Sequence, residues 1–284
     1  MKAKHYISLP ECTASYEEMV TGTGVKLDHT HCHDKYEILY ITDGSGKYIV
    51  EGSEYDVVPR TLMFIRPCEY HCLKIDDGVP YKRYCIHLSP SILSQETAQL
   101  LFSMTADDDN PGNCFSPASL PPSLDAVFDM LDIIEGLSDD LKRIYTRAFL
   151  AQLIVILYSS ASDSFVGDAG DLGARDIRYL NGNIDKNLSL DRLARRFFVS
   201  KYYLCRAFKR YSGISVHGYV NHKRVLYAKQ LIEAGETASG AAYKVGFGDY
   251  SAFYRAYVRI IGNAPTQEQD GQKDETEDTN VPLS

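Results

Sequence analysis

The sequence predicts an α+β chain in three parts: an antiparallel β-barrel, a helical hairpin, and an all-α domain with two helix-turn-helix motifs. Three observations predict it. Residues 5–90 alternate apolar and polar positions with period 2, as half-buried strands do. Residues after 173 follow the helical period of 3.6, and the pattern recurs once. Charge is also segregated within a chain of net charge −8. Residues 172–265 carry 16 Lys and Arg against 6 Asp and Glu, residues 1–171 carry 13 against 26, and residues 266–284 carry 1 against 6. A basic segment in an acidic chain points to a polyanion-binding domain joined to something else.

The strands are clearest in "YEILYITDGSGKYIVEGSEYDV". Ile38 and Tyr40 alternate, "DGSG" reads as a hairpin turn, and Tyr48 and Val50 resume the pattern. "TLMFIRP" and "YKRYCIHLSP" supply further strands. Short strands punctuated by Gly, Pro and Asp suit a small antiparallel barrel or sandwich. Residues 105–122, rich in Pro, Asp, Ser and Asn, read as a loop. Ser123 then opens an amphipathic helix with Leu124, Val127, Phe128 and Leu131 on one face. A second helix over about 140–159 ends in "AFLAQLIVILY", which is apolar nearly all round and must be covered on several sides. The pair is expected to pack as a hairpin on the barrel or on another subunit. Residues 159–173 read as a linker.

The predicted organisation is therefore a barrel domain over 1–115, a helical hairpin over 116–165 for dimerisation or coupling, a DNA-reading domain over 172–266, and an acidic disordered tail over 267–284. No apolar run reaches the roughly 18–20 residues that span a bilayer, so no membrane contact is expected. The N-terminal stretch lacks the apolar core and small-residue cleavage pattern of a secretory signal. The 7 cysteines are scattered and form no CxxC pair, which predicts free thiols and a cytoplasmic location. GxSxG, a P-loop and GxGxxG after a strand are all missing, so the chain is not expected to be an enzyme.

In the basic half, Leu190, Leu193, Ala194 and Phe197 form one helical face behind Ser189, a good N-cap. Ser200 can cap a second helix, in which Leu204, Ala207, Phe208 and Tyr211 repeat the spacing and Lys201, Tyr202, Cys205, Arg206 and Lys209 face the other way. The unit returns 48 positions later: Ala238, Ala241, Ala242 and Val245, the turn "GFGD", then Phe253, Ala256, Tyr257 and Ile260. Its outward face offers Asp249, Tyr250, Ser251, Arg255 and Arg259. One long helix joins the units, with Lys223, Arg224 and Lys229 expected to be exposed. One face of each second helix anchors it, and the other presents donors to phosphates and base edges.

"VSKYYLCRAFKRYSGIS", "YVNHKRVLYAKQLI" and "VGFGDYSAFYRAY…GNAPT" resemble the DNA-binding domain of the AraC/XylS family of bacterial transcription regulators. The resemblance implies double-stranded DNA as partner. It also implies contacts by Lys201, Tyr202, Cys205 and Arg206, then by Tyr250, Ser251, Ala252 and Arg255. Cys205 also reads as a small interface residue, and Tyr202 as a packing residue. The sequence departs from the family at Gly240 and at Tyr257-Val258. A glycine inside a helix costs about 1 kcal/mol relative to alanine, so the second unit is expected to be the less stable.

"DHTHCHDKYEILY" places His31, His33 and Glu37 at metal-site spacing, and His71 can join them across a barrel. Imidazoles with a carboxylate suit Zn, Fe, Mn, Ni or Cu. The stretch resembles the first motif of cupin barrels, although the glycine of the second motif is replaced within "RTLMFIRPCEYH". It also resembles the cupin-like sensor half of AraC-type regulators, which implies a pocket that binds an effector without metal. His31, His33, Glu37 and His71 therefore stand as effector-binding residues, with no cofactor expected. The effector is a small molecule such as a sugar, the assembly a homodimer, and RNA polymerase a further partner. A metal-dependent cupin enzyme or a metal sensor fused to a DNA-binding domain is the alternative. Cys68 and Cys72 flank His71 and offer a thiolate variant that lacks a fourth ligand.

Overall fold

The computed structural model describes residues 2–20, 30–104, 113–160, 168–169, 179–186, 188–212 and 214–265. Gly24, His29 and the tail 267–284 lie outside the described residues, as does the side chain of Tyr211. The chain forms two compact units, Met1–Arg175 and Asp176–Ser284.

Among the described residues the N-terminal unit holds ten strands: β1 Lys2–Leu9, β2 Cys12–Val20, β3 Tyr36–Asp43, β4 Gly46–Val50, β5 Ser53–Val57, β6 Thr61–Ile65, β7 His71–Ile75, β8 Pro80–Leu88, β9 Cys114–Phe115 and β10 Asp168–Ala169. They make two antiparallel sheets, one ordered β1-β2-β8-β3-β6-β9 and one ordered β10-β5-β4-β7. β9 lies within the stretch expected to be loop. Two residues pairing with Leu62 and Met63 are too short a run to show a period.

Alternation along β3 explains how the sheets are filled. Ile38 and Tyr40 join Leu62, Phe64, Ile86 and Leu88 on the outer face, under the helices. Leu39 and Ile41 join Met63, Ile65 and Tyr81 on the inner face, against Tyr48, Val50, Tyr55 and Leu73 of the second sheet. The strand is covered on both sides, so it reads as a nearly continuous apolar run. Glu37 falls on the inner face by the same alternation.

"DGSG" is not a hairpin. β3 pairs with β8 and β6, whereas β4 pairs with β5 and β7, so Gly44 and Ser45 carry the chain across a corner from one sheet to the other. The hairpin sits one strand later, at Glu51-Gly52. Both residues there take positive φ (46° and 84°), as a two-residue type I′ turn requires. At the corner, Ser45 Oγ donates to Asp76 at 2.7 Å.

The outer face is covered by α1 Gln95–Ser103, α2 Leu124–Asp129, a 3₁₀ stretch Met130–Gly136 and α3 Asp139–Ser160. Ser123 makes no side-chain cap. Asp125 instead ties α2 to the sheet, accepting from Tyr40 and Arg60. Phe149, Leu150, Leu153, Ile154 and Leu157 of α3 share one core with the barrel. Its other face, Leu141, Ile144, Val155 and Tyr158, stays between 48% and 64% exposed.

The C-terminal unit holds α4 Leu190–Arg196, α5 Lys201–Ser212, α6 Val216–Glu233, α7 Ala238–Lys244 and α8 Tyr250–Ile261. Ser189 and Ser200 cap α4 and α5, accepting from the amides of Arg192 and Tyr203. Leu193, Ala194, Leu204, Ala207 and Phe208 are buried. Ala241, Ala242, Val245, Phe253, Ala256 and Tyr257 pack with Val225, Ala228 and Ile232 of α6. The 48-residue repeat is thus a repeat of two helix pairs bridged by α6.

The basic residues of α6 correct an expectation. Lys223 is 2% exposed, its ammonium 5.5 Å from the Tyr219 ring centre. Arg224 donates to the carbonyls of Ile184 (2.8 Å) and Lys186 (2.7 Å), anchoring the segment ahead of α4. Lys229 is mostly covered beside Glu233. A helix packed by two neighbours has little outward face left, and long basic side chains then serve as anchors.

Gly240 lies in the first turn of α7, where its amide donates to Thr237 Oγ1 at 3.0 Å. A Cβ there would meet only the movable end of the Glu236 side chain and the Thr237 hydroxyl, and the glycine sits at a helix cap rather than in a helix interior. The two motif turns also differ. Gly246 holds φ +90°, and its counterpart in the first unit is Phe198 at φ +55°, 95% exposed.

At the sheet corner, a Cβ on Gly46 would lie 2.1 Å from the carbonyl oxygen of Lys74. Gly46→Ala is expected to destabilise the protein by about 2 kcal/mol or more, through strain and lost β4–β7 pairing. Thermal or urea denaturation followed by circular dichroism checks it. An unchanged midpoint would refute the corner geometry.

Candidate functional site

Three segments bring histidines to Glu37 at one end of the space between the sheets. Glu37 and His87 face each other across β3 and β8. His71 opens β7 on the opposite sheet. His31 and His33 come from the segment before β3, which was expected to be strand but forms only one bridge, His31 to His71. That bridge uses both backbone bonds, His31 N–H to His71 C=O at 3.1 Å and His71 N–H to His31 C=O at 2.9 Å.

The structure thus gathers all four residues expected at the effector site. Candidate ligand atoms of His31, His33, Glu37 and His71 lie within 4.8 Å of one another. Glu37 Oε2 is 2.9 Å from His33 Nε2, 3.1 Å from His87 Nε2 and 3.4 Å from His71 Nε2. Tyr48 donates to Glu37 Oε1 at 3.4 Å. Glu37 and His71 are buried, His33 and His87 half-buried, and His31 exposed, so the cluster opens to solvent past His31. Cys68 and Cys72 are not in the groups that could share a metal ion among the described residues.

The electrostatics favour positive charge beside Oε2. Burial alone would raise the Glu37 pKa, but the imidazoles of His33, His71 and His87 outweigh it and hold the carboxyl well below the usual range. Burial works to lower the His71 pKa. The Glu37 carboxylate and the Glu69 carbonyl oppose that and raise it. Burial pushes the Cys85 thiol well up, which keeps it protonated beside His87.

His87 was missed from the sequence. Its signal was the alternation Tyr81, Arg83, Cys85, His87, which puts it on the same inner face as two core residues. Its distance from "DHTHCHDKYE" hid the connection.

In the C-terminal unit, α5 and α8 carry the residues expected at DNA. Lys201, Tyr202, Arg206, Ser251 and Arg255 are exposed. Cys205, Tyr250 and Ala252 are half-buried, and Tyr250 packs against Phe253 and Tyr254. Lys201 is held by Asp191 at 2.6 Å. A surface pair like this is worth about 0–1 kcal/mol and can open to a phosphate. Asp249, read as part of the outward face, is instead the cap of α8. It accepts from the amides of Ser251 (3.2 Å) and Ala252 (2.9 Å).

Asp249→Ala is therefore expected to cost about 1 kcal/mol of stability, within the usual range for a lost N-cap. Asp249→Asn should largely restore it. Paired denaturation curves check both, and equal midpoints for wild type and Asp249→Ala would remove the capping role.

Comparison with known proteins gives two matches along the chain. Residues 27–164 match the family model of the AraC-like ligand binding domain, and residues 193–270 match a helix-turn-helix domain. The uncharacterized HTH-type transcriptional regulator YbfI of Bacillus subtilis is 27% identical over 226 residues, covering 78% of this chain and 79% of that protein. The HTH-type transcriptional activator RhaS of Mannheimia succiniciproducens is 22% identical over 238 residues, covering 84% and 87%. Among solved structures, an apo ToxT variant from Vibrio cholerae aligns with TM-score 0.40 and 12% identity over 92% of this chain and 97% of that one. The C-terminal domain of AraT, a response regulator from Geobacillus stearothermophilus, aligns with TM-score 0.35 and 23% identity over 39% and 95%. The assignment rests on the two domain matches and the regulator relatives, which agree with the double helix-turn-helix and the barrel. The chain belongs to the AraC family: it is a DNA-binding transcription regulator with an N-terminal ligand-binding domain.

Proposed function

We propose that this regulator reads double-stranded DNA through α5 and α8, senses a small-molecule effector at the Glu37 end of its barrel, and works as a homodimer joined through α3. The carrying observation is the pair of capped helices in one unit, each with an exposed arginine at the corresponding place, Arg206 and Arg255. An exposed arginine at that position can bond a guanine edge in a bidentate manner. Lys201, Tyr202 and Ser251 supply phosphate or base contacts around it. Cys205, Tyr250 and Ala252 contribute through shape, being half-buried.

Dimerisation is read from α3. Leu141, Ala148 and Val155 are spaced by seven, with Ile144 and Tyr158 between and after them, and all five are exposed. This is the apolar seam of a helix pair. No helix among the described residues is long and apolar enough to cross a membrane. A second copy of this chain presents the same stripe, as a two-fold interface needs. We place the protein in the cytoplasm with RNA polymerase as its further partner, and assign it no enzymatic role. An effector would act by binding one arrangement of the protein better than another. A sugar is one class that a tyrosine-, histidine- and carboxylate-lined site can hydrogen-bond.

Arg206→Ala is expected to weaken binding to a DNA fragment selected from a random pool by about tenfold or more, corresponding to the roughly 1–3 kcal/mol of a bidentate guanine contact. Binding to unselected DNA should change far less. Gel shifts on both fragments test this, and equal losses would demote Arg206 to a phosphate contact. The double variant Ile144→Glu, Val155→Glu should be a folded monomer, since both positions are exposed. Sedimentation that still shows a dimer would move the interface elsewhere.

A further inference from the structure

The turn between α4 and α5 carries a residue that its backbone does not favour. Two hydrogen bonds close this turn, Phe198 N–H to Arg195 C=O at 3.3 Å and Val199 N–H to Ala194 C=O at 3.0 Å. The turn between α7 and α8 closes in the same way, with Gly246 N–H to Tyr243 C=O and Phe247 N–H to Ala242 C=O, both at 3.0 Å. Such a pattern ends a helix on one left-handed residue, a place that glycine fills most readily. The second motif has Gly246 there, and the first has Phe198 at φ +55°.

The ring does not serve the turn that holds it. The apolar residue that such a turn packs inward is the following one. That residue is Val199 in the first motif, half-buried, and Phe247 in the second, buried. Phe198 itself is 95% exposed, so its ring adds almost nothing to the packing of the unit. A left-handed non-glycine residue is strained, and strain of this kind concentrates at functional sites, where a contact made in function offsets it.

The surroundings of the ring indicate that contact. Phe198 lies two residues before Ser200, the cap of α5, and shares a surface hollow with Arg195 and Lys201. Both cations are exposed, and Asp191 in the same hollow is paired with Lys201. Tyr202, the next residue of α5, is exposed as well. The ring is therefore continuous with the face that α5 offers to DNA, and its flanking charges suit phosphates. The N-terminal end of a recognition helix is the end that meets base edges in the major groove. The apolar group displayed there is the 5-methyl of thymine, which phenylalanine can contact.

We infer that Phe198 packs against a thymine methyl group at the edge of the sequence read by α5, and so specifies a base that no hydrogen-bonding side chain reads. The inference rests on α5 being the reading helix of the first motif, and deepens that reading.

The test uses the full chain and a DNA fragment that the wild type selects from a random pool. Each thymine is replaced in turn by 2′-deoxyuridine, which removes only the methyl group, and affinities are measured by gel shift. One replacement should weaken wild-type binding about fourfold, the size of one buried methyl group. Phe198→Gly should bind the unmodified fragment more weakly by a similar factor and should be indifferent to that replacement. Phe198→Tyr keeps the ring and should behave as the wild type. The salt dependence of binding should be the same for all three, since no charge changes. Phe198→Gly should also unfold in urea at an equal or higher midpoint, because glycine takes the left-handed conformation without strain.

A clear fall in that midpoint would make the ring a packing residue and overturn the inference. So would wild-type DNA affinity in Phe198→Gly, or a weakened variant that still senses the same deoxyuridine. Unchanged DNA binding with reduced transcription in a purified system would assign the ring to a protein partner and equally overturn it. Arg206→Ala on the same fragments separates the two readings. If it loses selected binding while Phe198→Gly does not, α5 still reads DNA and only the role of Phe198 falls. If neither variant loses affinity, both fall.

Discussion

Everything in the N-terminal unit is arranged around a strand that must be covered on both faces. β3 sends Ile38 and Tyr40 under the helices and Leu39 and Ile41 between the sheets. Slipping its register by one residue would exchange the two sets and turn Glu37 toward apolar helices. The helices are therefore as much a part of the barrel's stability as the second sheet. The same alternation fixes where the only carboxylate of β3's buried stretch can point. A buried carboxylate has to be partnered, and the surrounding histidines meet that need from three separate segments.

The C-terminal unit solves a different problem. Two helix pairs of seven and twelve residues bury too little apolar surface each to stand alone, so α6 lends its two ends to both. Lys223 and Arg224 are drawn into that role, Lys223 against Tyr219 and Arg224 onto the carbonyls ahead of α4. The positive charge left for DNA lies on α5 and α8 rather than on the helix between them. Phe198 holds a left-handed conformation that costs a non-glycine residue about 1–2 kcal/mol, where the second motif uses Gly246. With its ring almost wholly exposed, nothing in its own packing offsets that cost.

Much of the fold was legible in the sequence because its signals are local. Helix periods, the caps Ser189 and Ser200, and the 48-residue repeat depend on neighbours within one or two turns. The histidine motif was legible for the same reason in part, as His31, His33 and Glu37 could be named from spacing. "DGSG" misled because a Gly-rich turn specifies a reversal or a corner equally well, and strand pairing decides between them. The Glu51-Gly52 hairpin lay outside the usual Asn-Gly and Asp-Gly signatures. The basic residues of α6 were misplaced because a charged side chain reads as exposed until its neighbours are known.

The sequence by itself determined the family, the two-part charge layout, and the residue types at both sites. These follow from composition and short-range order. The tertiary structure alone decided that β3 is buried twice, that His87 joins Glu37, that Lys223 is an internal anchor, and that one face of α3 remains uncovered. Each of these depends on which distant segments meet. No local pattern encodes that, because strand pairing and helix packing are settled by the burial of the chain as a whole.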